Sequence, residues 1–185
     1  VTAQALIPLG IRLKPMVTRA LERMASGAGQ DVADYAATVL SEHAAAAIND
    51  AKAVEQIKAE ADLKRAAAEL ARRLSPPGRF DPDVTLAVFR SIRADERLAA
   101  LYRAAIGSAD GFERNNPDKA RVNRIIGGIC KAVSGGSSKG PDGAVAMVQV
   151  SSEFCFTYTR LHPPLGNPTE SRHRSARNEG LPNEH

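Results

Sequence analysis

The spacing of hydrophobic and polar positions changes along the chain, and each change marks an element. In residues 6–14, LIPLGIRLK, Leu9, Ile11 and Leu13 fall on one side and Gly10 and Arg12 on the other. A period of two is the mark of a half-buried strand, and Pro8, which lacks an N–H, suits its start. At Pro15 the period becomes helical, with Val17, Leu21 and Met24 on one face, and a proline fits the first helical turn. Ser26-Gly27-Ala28-Gly29 stops this helix with a glycine free to take the left-handed cap conformation. Asp31 can cap the next helix, and Asp34 adds negative charge to its first turn. Val32, Tyr35, Ala36, Val39, Leu40 and His43 then share one stripe.

Residues 44–75 are alanine-rich and have high helix propensity. Val54, Ile57, Ala61, Leu70 and Leu74 form a partial stripe interrupted by Lys64, which predicts a spacer helix or a short pairing surface. Ser75-Pro76-Pro77-Gly78 ends it and is the best candidate for a domain boundary. Asp81-Pro82 opens a helix with Val88, Phe89 and Ile92 on one face. Leu98, Leu101, Tyr102 and Ala105 mark another, closed by Gly107. Asn116-Pro117-Asp118 is a helix start with a capping residue followed by proline, and Val122, Ile125, Ile126, Ile129 and Val133 give that helix its apolar stripe. Residues 144–150 and 154–160 read as two strands joined through Ser151-Ser152-Glu153.

The expected architecture is therefore mainly α with minor β. A strand-helix-helix module spans 1–48 and a spacer 49–75. A helical module ending in a β-hairpin spans 78–161, the element order of a winged helix, and a tail without periodicity, 162–185, is expected to be disordered.

Charge changes this picture by its distribution. The formal net charge is +4. Residues 1–23 carry Arg12, Lys14, Arg19 and Arg23 against Glu22 alone, whereas residues 24–50 carry Asp31, Asp34, Glu42 and Asp50 with no Lys or Arg. A polyanion would meet the first strand and helix, or the middle of the chain. A second phosphate surface is offered by the helix that begins at Pro117, where Arg121, Arg124, Gly128 and Lys131 recur at spacings of three and four. The bland reading of that face is solvation.

Little in the chain points to catalysis. The histidines His43, His162, His173 and His185 are scattered. The chain contains no zinc-protease, paired-cysteine or nucleophile-elbow motif. Cys130 and Cys155 make neither a disulfide framework nor a zinc set. Ser134-Gly135-Gly136-Ser137-Ser138-Lys139-Gly140 has the residues of a phosphate loop in the wrong order. Aromatics are only 4% of the chain and there is no Trp, which argues against a large aromatic cleft. No run is long and apolar enough to span a membrane, and no basic-then-apolar leader pattern is present, so a cytoplasmic non-enzyme without a cofactor is expected.

The run from Ile11 to His43 resembles the ribbon-helix-helix repressors of the Arc and MetJ type. A short strand ends in Arg-Leu; Leu13, Val17, Leu21 and Gly29 stand at the family's spacing, and a capped second helix follows. The resemblance covers about a fifth of the chain. It implies a homodimer in which two strands pair into an antiparallel ribbon that enters the major groove of double-stranded DNA, which is wide enough to admit it. By position, Pro8, Gly10 and Arg12 face the bases and the N–H groups at Asp31 and Val32 grip a phosphate; Lys14 and Arg19 are expected to meet further phosphates. Transcriptional repression or autoregulation is the implied role. The alternative is an adaptor, an antitoxin or a plasmid-transfer accessory factor, in which the first module only dimerises and residues 78–161 bind a second protein.

Overall fold

The computed structural model describes residues 10–76 and 79–163. Within them the chain is mainly α, with helices α1 (Pro15–Ala28), α2 (Val32–Ala44), α3 (Ala51–Leu74), α4 (Val84–Ala94), α5 (Glu96–Ala105) and α6 (Pro117–Ser134). A short 3-10 turn at Ala45–Ala47 follows α2. Strands β1 (Met147–Gln149) and β2 (Thr157–Thr159) form an antiparallel hairpin with Val148 opposite Tyr158.

Local chemistry sets the helix boundaries. Lys14 is extended immediately before Pro15, and Gly29 closes α1 at φ 68, donating its N–H to Ser26 while Gln30 donates to Ala25. Asp31 accepts the Asp34 N–H, Asp50 those of Lys52 and Ala53, Asp95 that of Leu98, and Asn116 that of Lys119. Each such cap satisfies a donor that the helix cannot, and contributes about 1 kcal/mol.

The strand expected over 6–14 is not formed at residues 10–14, which carry no strand pairing; residues 6–9 lie outside the described residues. A strand exists only through the N–H and C=O groups of a neighbour. Among the described residues the only paired segments are β1 with β2 and an isolated bridge between Ser137 and His162. The hairpin strands are also shorter than expected. Phe154 and Cys155 leave the ladder to enter the helical core, where the Phe154 ring stacks on Tyr102 at 4.5 Å. The tail expected to be disordered from residue 162 is ordered at its first residue, because His162 exchanges backbone hydrogen bonds with Ser137, and from residue 164 it lies outside the described residues.

The alanine-rich segment expected as a spacer is the central helix. α3 packs against α4, α5 and α6, and α2 also touches it. Ala59, Leu63, Ala67, Ala68, Leu70 and Ala71 share one core with Val88, Phe89, Ile92, Tyr102, Ile126 and Ile129. Alanines let neighbouring helices approach closely, so a sequence with few large apolar residues still forms a buried helix. Lys64, which interrupts the apolar stripe, is itself buried: its amine pairs with Glu60 at 2.7 Å and donates to Thr38 Oγ1 at 2.8 Å.

Candidate functional site

Two regions collect the candidate residues. The first is the N-terminal module. Gly10, Arg12, Lys14 and Arg19 are exposed, and none of these three cations has an ion-pair partner among the described residues. Ile11 is 50% exposed, Leu13 45%, Met16 74% and Met24 55%. Large apolar groups rarely collect on a surface that stays in water. At the start of α2 the Asp31 carboxylate accepts the Asp34 N–H at 2.9 Å. That bond holds Asp31 below its ordinary pKa, while burial and the neighbouring Asp31 push Asp34 up. The helix end at Asp31 and Val32 is therefore already covered by a carboxylate.

The second region is a cleft of about 570 Å³ between α6 and the hairpin. Lys119, Asn123, Gly127 and Lys131 recur every four residues along it, the spacing of one helix face. Arg114 and Arg124 complete the cations among the described residues, and none of the described residues lining the cleft is a carboxylate. Lys119 is the unusual member. It is 3% exposed, and its amine has no hydrogen-bond partner among the described residues. The amine lies 4.2 Å from the centroid of Phe156, and the Arg114 guanidinium lies 5.3 Å from the same ring. Burial lowers the Lys119 pKa, against the opposing field of Asp110 and other nearby groups. Leaving a buried donor unmatched costs about 1–3 kcal/mol, more if it is charged.

Gly127 and Gly128 give the cleft its floor. A Cβ added at either would meet nothing within 4 Å. A glycine inside a helix costs about 0.5–1 kcal/mol relative to alanine, and packing does not require either one.

The structure divides the polar face expected on α6. Arg124 and Lys131 line the cleft, and Lys131 donates to Ser138 at 3.4 Å. Arg121 does not: it is held by Glu60 at 2.6 Å and by Asp118 at 3.1 Å. Lys119 was not singled out by spacing, because it sits on the border between the apolar stripe and the polar face. Arg114 lies in the loop before α6, where periodicity says nothing. His43 is exposed on α2, and Cys130 and Cys155 are buried free thiols.

Among the described residues no helix is long and apolar enough to cross a membrane. Comparison with protein-family models, curated proteins and solved structures finds no match.

Proposed function

We propose that the chain is a homodimeric, sequence-specific binder of double-stranded DNA that acts as a transcriptional repressor. The observation that carries this reading is the segment entering α1, where exposed Ile11 and Leu13 alternate with exposed Arg12 and Lys14. Pairing two such segments antiparallel would cover Ile11 and Leu13 with the helices of both copies. Arg12 and Lys14 would then project from the other face, into a groove that admits a two-stranded ribbon. The α1–Gly29–α2 turn and the Asp31 cap agree with the family resemblance. Arg12 reads base edges in this scheme, and Lys14 and Arg19 neutralise phosphates.

Selection from a pool of random duplexes tests it. The wild type should enrich one site, and Arg12→Ala should lose that preference. Lys14→Ala or Arg19→Ala should weaken all duplexes alike and lower the salt slope by about one unit. A pool that yields no enriched site sinks the repressor reading.

Two observations favour a second reading, in which the module only dimerises and the rest of the chain binds a protein. Gly10 presents no side chain to a base, and Asp31 places a carboxylate where a phosphate would dock. This adaptor predicts no salt-sensitive gel shift with any duplex.

A further inference from the structure

We propose that the cleft between α6 and the β1–β2 hairpin binds a small phosphate monoester carrying a planar ring, with Lys119 and Arg114 taking the phosphate and the Gly127–Gly128 floor taking the ring. The inference does not depend on the DNA-binding reading.

The phosphate end follows from charge and burial. Lys119 and Arg114 lie against one aromatic ring, Phe156, and so share one end of the cleft. Arg124 stands five residues further along α6, about 7.5 Å of helical rise, within reach of a long side chain. Among the described residues the lining adds no carboxylate, and Asp110 and Glu113 act on Lys119 only through space. A dianion is the partner that such a set lacks, because charge-assisted bonds to phosphate are the strong ones. The Lys119 amine is shut off from solvent behind Phe156, whose ring is half-buried. Ligand entry therefore displaces that ring or swings the lysine outward.

The ring end follows from shape. Side-chain-free helix surface at Gly127 and Gly128 faces open space, flanked by exposed Met147 on β1. A flat group can lie on that floor as no branched group could.

Calorimetric titration of the full chain tests the proposal, with phenyl phosphate and adenosine monophosphate as probes and inorganic phosphate and adenosine as their halves. The joined probes should bind saturably, and each half should bind more weakly by about tenfold or more. Lys119→Met should cut binding of the joined probes by about tenfold or more. Gly127→Leu should block them while the thermal midpoint holds or rises, because a Cβ at this position meets no described atom within 4 Å and replaces a helix-weakening glycine. Gly127→Leu keeps the test decisive if Lys119→Met does not fold. Absence of saturable binding by either joined probe overturns the proposal. So does unchanged binding in Gly127→Leu, or binding of inorganic phosphate as tight as that of adenosine monophosphate. Duplex binding that Lys119→Met abolishes, with no signal from the small anions, would assign the cleft to a nucleic-acid backbone and overturn it as well.

Discussion

Glu60 on α3 and Arg121 on α6 are joined by an ion pair of 2.6 Å, and the same carboxylate takes the Lys64 amine at 2.7 Å. Lys64 in turn donates to Thr38 on α2, so one carboxylate ties three helices together. Burial alone would raise the Glu60 pKa. The hydrogen bond from Arg121 and the charge and hydrogen bond of Lys64 outweigh it and hold the carboxyl below its ordinary 4.5.

The stabilisation therefore depends on the ionised form. A carboxyl whose folded pKa is depressed contributes stability above its unfolded value, and that stability is lost as pH falls through the folded value. Denaturant midpoints should stay level at neutral pH and begin to fall near pH 4.5. In Glu60→Ala this part of the acid limb should flatten. The same variant should lose about 2–3 kcal/mol at neutral pH, because Lys64 is left buried and Arg121 partly buried with fewer partners. An unchanged acid limb in the variant means that Glu60 does not supply this linkage.

Gly29 should resist any side chain. Its φ of 68 disfavours a Cβ, and an added Cβ would lie 2.6 Å from Val133 Cγ2 on α6. Gly29→Ala should cost about 1–2 kcal/mol from backbone conformation alone, with the clash adding to it. Val133→Ala removes the clashing methyl group. Urea unfolding of the two single variants and the double variant should thus show favourable coupling of about 0.5 kcal/mol or more. Additive losses would mean that the α1–α2 turn does not press on α6.

The two thiols should be inert in the folded protein. Burial pushes Cys130 up to about 12 and Cys155 up to about 11. The thiolate is the reactive species, so a thiol reagent at mildly alkaline pH should label neither cysteine in buffer and both in denaturant. Rapid labelling in buffer would show that the core around Phe154 and Ile126 opens readily.

Helix ends were the most legible part of the sequence, because caps are local. Pro15, Gly29, Asp31 and Asn116-Pro117 each declare a boundary within four residues of themselves. The hairpin was legible in position but not in length, since nothing local shows that Phe154 turns inward to stack on Tyr102. The role of α3 was hidden by its composition: alanine contributes little to an apolar stripe yet permits close helix packing. The cleft was only half visible. Arg124 and Lys131 stand at readable spacing, but Lys119 acquires its character from Phe156 and Arg114, which meet it only in the folded chain. The separation of Arg121 from that set was equally unreadable, because its partner Glu60 lies 61 residues away.

Dimer formation is the prediction on which the DNA-binding reading turns. Leu13 and Met16 are 45% and 74% exposed and lie outside the shared core of α3–α6. A glutamate at either position should therefore leave the unfolding free energy of the helical core within about 0.5 kcal/mol of wild type. In a two-stranded ribbon covered by helices, the same glutamate would be buried without a partner, which costs several kcal/mol. Light scattering should give twice the chain mass for the wild type and the chain mass for Leu13→Glu. Raising the salt concentration should leave the apolar dimer intact while it weakens duplex binding, because only the latter releases counterions. If Leu13→Glu keeps the dimeric mass, the contact between copies lies elsewhere. Arg12 would then have no ribbon from which to reach a base.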